Sequence, residues 1–273
     1  MQDDLNRELS GLVHLHRDGA VVEIRMVKPP VNAICRRFSR AMERAAMFLQ
    51  EDPDLRVGIL SSGNDAAFSA GMDFNESIDP YDGGSDFGAI AGGFGGITRL
   101  TALKKPLIAA INAPAVGGGL ELALSCDILL MADDTFVQLP ELERGLLPDG
   151  GGVQRLPRRI PYQVATAMIW TGAPMSAAEA LRWGLVYHTA PRDGLMDLAW
   201  QTAHQIARAA PLAAQALKET LRVVDGLSDA DAMALRAESQ GDLDCYRRML
   251  ASDDMIEGQR AFLEKRAARW TGR

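Results

Sequence analysis

The chain has 273 residues, of which 47% are hydrophobic and 24% charged, a balance typical of globular proteins with a large buried core. Its net charge of −7 and the lack of a basic run interleaved with aromatic residues disfavour binding to nucleic acid. Cys35, Cys126 and Cys245 are too far apart for a disulfide framework, which, with an acidic, polar start, predicts a cytoplasmic protein. The longest apolar region, 106–132, contains acids, prolines and glycines and therefore predicts buried core, not a membrane span.

The first two thirds of the chain alternate strand and helix patterns. Apolar and polar residues alternate around Asp18-Gly19, the strongest local signal for a hairpin, and 35–51 has the apolar spacing of an amphipathic helix. The predicted elements are a hairpin at 11–26, a helix at 35–51, a strand at 56–62, an irregular glycine-rich segment at 72–105 with a helix-like end at 98–105, a strand at 106–112, a short helix at 119–125 and a strand at 127–132.

The last third is predicted to be mostly helical. Ser176 and Glu179 form a capping box for a helix that stops at Gly184, and a short strand is expected at 185–188. Helices without strand signals then follow at 195–210, 211–224, 229–250 and 253–268. Strand and helix alternation followed by helices predicts an α/β core over 1–195 and an α-helical region over 196–273.

Glycines at the start of a predicted helix are the first candidate site. In "INAPAVGGGLELALSCD" (111–127), Gly117–Gly119 would let a ligand approach the free N–H groups of the helix N-terminus. The stretch lacks the P-loop and dinucleotide-binding spacings, so a thioester oxygen that becomes negative during reaction fits equally well. Tight packing of helix on strand is the structural alternative. A similar turn in "AAFSAGMDF" (66–74) places Met72 after Gly71, and two such turns facing one point would form an oxyanion hole.

Two acids are candidates for proton transfer. Glu121 lies one turn into the glycine-started helix among apolar neighbours, so a surface role is disfavoured. Glu141 follows Pro140, where a carboxylate in a loop or at a helix start is the plain alternative. A second glycine cluster at 150–152 predicts another helix N-terminus near the same pocket. The scattered histidines have no cysteine or carboxylate at ligand spacing, so no metal site is predicted.

Five segments occur in the order and spacing of one enzyme family. They are "FSAGMDF", "KPLIAAINAPAVGGGLELALSCDI", "PELERGLLPDGGGVQRLP", "SAAEALRWGLV" and "EGQRAFLEKR". Over about 12–270 the chain resembles the crotonase (enoyl-CoA hydratase/isomerase) superfamily. "GGFGGIT", "LLPDGGGVQRLPRRIP" and the C-terminal "DDMIEGQRAFLEKRAARWTGR" are most similar to its carnitinyl-CoA dehydratase branch.

The resemblance implies a fold, a substrate and an assembly. The fold would be a crotonase-like spiral of strand-strand-helix units with a C-terminal helical trimerisation region over 196–273, in a homotrimer or a dimer of trimers. The substrate would be an acyl-CoA thioester, with coenzyme A arriving as part of it and no permanently bound cofactor. The implied reaction is the reversible syn addition of water to a 2-enoyl-CoA, including crotonobetainyl-CoA. The alternatives are an isomerase or acyl-CoA hydrolase, and an RNA-binding or non-catalytic oligomer.

The resemblance also implies roles for individual residues. Met72 and Gly118 would donate the two N–H groups of the oxyanion hole, Glu121 would activate water, and Glu141 would deliver a proton to the α-carbon. The further contacts with substrate and coenzyme A would come from Ala70, Gly71, Asp73, Gly117 and Gly150, and from Phe262 and Lys265 of a neighbouring subunit.

Two further features of the sequence concern substrate binding. Asn75 stands where the family often has a lysine near the coenzyme A phosphates, so that contact of a lysine with coenzyme A is not expected here. Segment 75–98 is predicted to wall the acyl pocket, and Trp170, Trp183 and Tyr81 are the aromatic candidates for recognising a trimethylammonium group.

Overall fold

The computed structural model describes residues 2–77, 87–235 and 243–273. The strands in these ranges are β1 (Val13–Asp18), β2 (Val21–Met26), β3 (Val57–Ser62), β4 (Leu107–Ile111), β5 (Ala115–Val116), β6 (Ile128–Ala132), β7 (Phe136–Gln138), β8 (Met175–Ser176) and β9 (His188–Ala190). The helices are α1 (Gln2–Glu8), α2 (Arg36–Glu51), α3 (Phe74–Ser77), α4 (Gly118–Ala123), α5 (Gly152–Arg159), α6 (Tyr162–Thr171), α7 (Ala177–Arg182), α8 (Leu195–Ala207), α9 (Pro211–Val224), α10 (Asp229–Ala234), α11 (Asp244–Leu250) and α12 (Asp253–Leu263).

The main sheet has six strands in the order β1-β2-β3-β4-β6-β9. β1 and β2 form an antiparallel hairpin, and the pairings from β2 to β9 are parallel. β3 and β4 are buried along nearly their whole length, as expected for parallel strands covered by helices. Their C-terminal ends share one sheet edge, so the turn after β3 and the glycine turn after β4 come together there.

Helices cover both faces of this sheet. Phe38, Met42 and Leu49 on α2 are buried in the larger apolar cluster. On the opposite face, α8 packs Leu195 and Ala199 against apolar residues of the sheet strands. The helix that starts the predicted C-terminal region therefore contacts the sheet directly, and the division into 1–195 and 196–273 stays a prediction.

A small second sheet positions the glycine turn. Its strands are ordered β5-β7-β8, and α4 begins directly after β5. All six residues of α4 are buried, because Gly118 and Gly119 let the helix pack closely and its other residues, Glu121 apart, are apolar. A carboxylate on this helix is consequently carried into the interior.

Most locally encoded elements are confirmed. The hairpin, α2, β3, β4, α4 and β6 lie where the patterns predict them. The capping box is present, since the Ser176 side chain accepts from the Glu179 N–H and the Glu179 carboxylate accepts from the Ser176 N–H.

Three predictions need correction. Residues 98–105 form turns in place of a helix, because tertiary contacts hold the backbone: Arg222 donates to Thr101 O (3.4 Å) and to Leu103 O (3.1 Å). The strand expected at 185–188 begins only at its last residue. Residues 229–250 contain α10 and α11, with 236–242 outside the described residues.

No helix within the described ranges has the length and apolar character needed to cross a bilayer.

Candidate active site

One cavity, of about 1400 Å³, collects most of the residues predicted for the site. It lies at the sheet edge where the turns after β3 and β4 meet. The predicted residues that line it are Ala70, Gly71, Met72, Asp73, Gly117, Gly118, Glu121, Glu141 and Gly150.

Two predicted residues lie elsewhere. Phe262 is 82% exposed near the end of α12, Lys265 follows that helix, and neither lines the cavity of this subunit. Their predicted role concerns a neighbouring copy of the chain and stays a prediction.

A hydrogen bond joins the two backbone turns, because Val116 N–H donates to Ser69 O (3.0 Å). Gly117 N–H in turn donates to Gln138 O of β7 (2.8 Å). Gly71 and Gly117 have φ of +83° and +56°, a region that glycine enters without steric cost. A Cβ on Gly71 would lie only 2.9 Å from the Gly118 nitrogen. The turn after β3 therefore touches the N-terminus of α4.

This contact leaves two N–H groups unused at the cavity wall. Gly118 is the first residue of α4, so its N–H has no acceptor inside the helix. Met72 lies beside Ile34. The Ile34 N–H donates to Gly71 O (2.7 Å) and the Asp73 N–H donates to Ile34 O (2.9 Å), so both backbone groups of Ile34 bond to the neighbours of Met72 and not to Met72 itself. Within the described part of the chain, neither the Met72 nor the Gly118 N–H has an acceptor. Both are available to an oxygen of a bound molecule.

Glu121 is almost completely buried, with 4% of its surface exposed. Gly152 N–H, at the start of α5, donates to its Oε1 (2.9 Å). Burial raises the pKa of Glu121 to about 7, although the Gly152 hydrogen bond favours the charged form, and the nearby charges of Glu141 and Asp149 raise it further. A carboxyl group poised near neutrality can accept or donate a proton at physiological pH.

Glu141 is half-buried at the start of the 3₁₀ turn Glu141–Arg144. Burial raises its pKa, opposed by its own backbone N–H and by Arg144. Its Oε2 is buried and has no hydrogen-bond partner among the described residues. A Cβ on Gly117 would lie 2.8 Å from its Oε1, so the carboxyl group faces the glycine turn. Such an oxygen is costly to bury unless a bound molecule or water contacts it.

An aromatic pair that no sequence motif indicates also lines the cavity beside the glycine turn. Phe94 and Phe87 both line the cavity, and their rings meet edge to face with centroids 5.0 Å apart. A Cβ on Gly118 would collide with the Phe94 ring. The only sequence signal was the broad segment 75–98, because nothing local indicates which of its residues contacts α4.

The aromatic candidates chosen from the sequence are placed differently. Trp170 is 76% exposed, and neither it nor Trp183 lines the cavity. Tyr81 lies outside the described residues.

Charged side chains also border the cavity. Lys28 donates to Ala33 O (2.7 Å) and to Asp73 Oδ2 (2.6 Å), and its hydrogen bond to Asp73 lowers the pKa of that carboxyl group. Several cations line the cavity as well, among them Arg155, Arg158, Arg159, Lys218 and Arg222, and Lys218 donates to Asp127 Oδ2 (2.7 Å). No cluster of His, Cys, Asp or Glu among residues 2–77, 87–235 and 243–273 is arranged to hold a metal ion.

Comparison with known proteins identifies the family. The enoyl-CoA hydratase/isomerase family matches residues 16–273. The carnitinyl-CoA dehydratase of Proteus mirabilis is 43% identical over 265 residues, which cover 97% of this chain and 100% of that protein. The carnitinyl-CoA dehydratase of Salmonella typhi is 42% identical with the same coverage. The crystal structure of an enoyl-CoA hydratase from Mycobacterium tuberculosis has a TM-score of 0.85 at 33% identity, covering 97% of this chain and 100% of that one.

The chain therefore belongs to the enoyl-CoA hydratase/isomerase family and has the crotonase fold. The predicted family, fold class and enzyme class are confirmed. Within that family it is a hydro-lyase, and the comparisons favour this class over the isomerase, hydrolase, RNA-binding and non-catalytic alternatives.

Gly150 offers a direct test of how Glu121 is positioned. A Cβ on Gly150 would lie 2.6 Å from Glu121 Oε2, and its φ is compatible with alanine. Gly150→Ala is expected to displace the carboxyl group and lower kcat/KM for enoyl-CoA hydration by about 10- to 100-fold.

Gly226→Ala is the matched control, because a Cβ there meets no atom within 4 Å. Equal activities of the two variants would contradict the tight placement of Glu121.

Proposed function

We propose that the chain adds water reversibly to crotonobetainyl-CoA, giving carnitinyl-CoA, in a syn addition. The relatives with 42–43% identity over 97% of the chain carry the name carnitinyl-CoA dehydratase, which supports this substrate. The observation that carries the mechanism is a pair of carboxyl groups, the buried Glu121 and the half-buried Glu141, that line the same cavity as two N–H groups without an acceptor.

The oxyanion hole consists of Met72 and Gly118. In the proposed complex their N–H groups donate to the thioester carbonyl oxygen, which gains negative charge as water adds to the β-carbon. Each donor in such a site contributes on the order of 3–4 kcal/mol to stabilising the transition state. Because the donors belong to the backbone, the Met72 side chain is not needed for this role.

The two acids exchange protons with the substrate. Glu121 in its carboxylate form takes a proton from water, whose oxygen then bonds to the β-carbon. Glu141 in its acid form gives a proton to the α-carbon as the enolate collapses. Burial raises the pKa of both groups, and the charge of Glu141 raises that of Glu121 further. The site therefore holds one carboxylate and one carboxylic acid at lower cost than two carboxylates. Dehydration of carnitinyl-CoA follows the same steps in reverse.

Coenzyme A enters and leaves with the acyl group, so no cofactor is held permanently. In the proposed complex, small residues at Ala70, Gly71, Gly117 and Gly150 let the thioester approach the backbone. Asp73 lies beside the coenzyme A limb with its charge paired to Lys28, which stands near the position where Asn75 replaces the usual lysine.

We also propose a homotrimer or a dimer of trimers, in which Phe262 and Lys265 approach a neighbour's coenzyme A. Support comes from the large apolar side chains exposed on the C-terminal helices: Leu217, Leu221, Leu250, Met255, Ile256, Phe262 and Leu263. Three buried free cysteines support a place in the reducing cytoplasm.

The proposed activity is tested by absorbance of the conjugated enoyl thioester. Purified protein is expected to hydrate crotonobetainyl-CoA, with loss of the enoyl absorbance, at a higher kcat/KM than crotonyl-CoA. It is also expected to generate the same absorbance from carnitinyl-CoA. If neither of these enoyl thioesters nor any longer one is hydrated, the proposed activity is wrong.

A further inference from the structure

We propose that Phe94, held by Phe87, recognises the trimethylammonium group of the substrate through a cation–π contact and thereby sets specificity. This inference rests on the proposed function, because it concerns the acyl group of the same site. A ring face attracts a cation through its quadrupole, most strongly where water is excluded.

Phe94 borders both parts of the catalytic arrangement. Its ring packs against Gly118, the proposed oxyanion donor. A Cβ on Gly150 would lie 3.3 Å from Phe94 Cδ1 and 2.6 Å from Glu121 Oε2. One ring therefore adjoins the position of the carbonyl oxygen and that of the general base.

The covalent structure of the substrate places its cation near this ring. In crotonobetainyl-CoA the nitrogen is bonded to the γ-carbon, only two bonds beyond the β-carbon that water attacks. When the carbonyl oxygen is held by Gly118 and the β-carbon faces Glu121, the trimethylammonium group lies beyond the β-carbon, in the part of the cavity next to Glu121. Phe94 is the aromatic residue that adjoins both of these positions among the described residues.

The ring is held in place by its surroundings. Phe87, 9% exposed, packs edge to face against it at an interplanar angle of 77°. The peptide that follows Phe94 is anchored at both its polar groups, because Gly95 N–H donates to Ser39 Oγ (3.0 Å) and the Thr98 hydroxyl donates to Phe94 O (2.7 Å). A preorganised ring loses little entropy on binding, which favours recognition.

The charge of the proposed base also favours a cation beside this ring. Glu121 adjoins the ring across Gly150 and is a carboxylate in the form proposed for hydration. The neighbouring guanidinium group of Arg155 donates to two backbone oxygens, Thr98 O and Gly150 O (3.4 Å for the latter). A carboxylate this close to the ring adds an electrostatic attraction for trimethylammonium.

The test compares a charged and a neutral substrate of the same shape. The probes are crotonobetainyl-CoA and its isostere in which a tert-butyl group replaces trimethylammonium. Phe94→Leu is expected to lower the ratio of their kcat/KM values, charged over neutral, by about 5- to 30-fold. A difluorinated phenylalanine at the same position keeps the size of the ring, weakens its quadrupole, and is expected to lower the ratio by a smaller factor.

Trp170→Leu is the control, since that ring is exposed and outside the cavity; its ratio should match that of the parent. An unchanged ratio for Phe94→Leu and for the fluorinated ring, with hydration intact, would overturn this inference alone. If the parent protein hydrates neither probe, the proposed function is overturned as well.

Discussion

Glu141→Gln is expected to lower kcat for hydration by about 100- to 10,000-fold while the protein still binds a saturated acyl-CoA with Kd within a factor of about three. The amide keeps the size of the side chain and its acceptor oxygen but cannot give a proton to the α-carbon. The measurement is kcat from enone absorbance, with Kd from calorimetry.

Glu143→Gln is the control for that result. Glu143 lies two residues further along the same turn, does not line the cavity, and faces Gly172, where a Cβ would lie 3.2 Å from its Oε1. Its replacement removes the same charge and should leave kcat nearly unchanged. Full activity of Glu141→Gln would exclude that residue from proton transfer.

Glu121→Gln is expected to lower kcat by a similar factor, because the amide cannot take a proton from water. In the parent, hydration needs the carboxylate, so kcat/KM should rise as the pH passes through about 7, the raised pKa of Glu121. A residual activity in the variant should lack that rise. A pH profile of kcat/KM for both proteins checks this expectation.

The same substitution should increase stability at high pH. The pKa of Glu121 is raised from 4.5 to about 7 in the folded state, so the folded protein binds the proton more tightly than the unfolded chain. The stability that this group contributes is complete below pH 4.5 and is lost as the pH rises through about 7.

Above pH 7 the parent retains a buried charge that Glu121→Gln does not have, while the amide oxygen can still accept from Gly152. The variant should exceed the parent in unfolding free energy by on the order of 1–3 kcal/mol at pH 8. The excess should shrink at pH 5. Urea unfolding at both values measures it, and an identical difference at the two pH values would contradict the burial of the charge.

The two expected results together describe a conflict between folding and catalysis. Burial of Glu121 on an apolar helix brings its pKa to about 7. The same burial lowers the stability of the fold whenever the group is charged. Gly152 N–H offsets part of that cost. Strain or destabilisation retained at a catalytic group is a recurrent feature of active sites.

Local sequence patterns determined the elements with short-range causes. The Asp18-Gly19 hairpin, the apolar spacing of α2 and the Ser176–Glu179 capping box depend on neighbours within a few residues, and all are confirmed. The order of the motifs also identified the family and its candidate acids, because each motif serves a backbone geometry or a side-chain chemistry.

Only the tertiary structure decided which groups meet. Glu121 on α4 and Glu141 on a 3₁₀ turn reach one cavity through the packing of both elements at a sheet edge. Phe94, which contacts Gly118, lies in a segment whose sequence has neither the helical nor the strand spacing of apolar residues. The stretch 98–105 shows the opposite effect, since contacts with distant arginines replace its local helical tendency. Local patterns set dihedral preferences, whereas the raised pKa of Glu121 comes first from burial among packed elements and then from the charges of Glu141 and Asp149, which only the folded chain brings together.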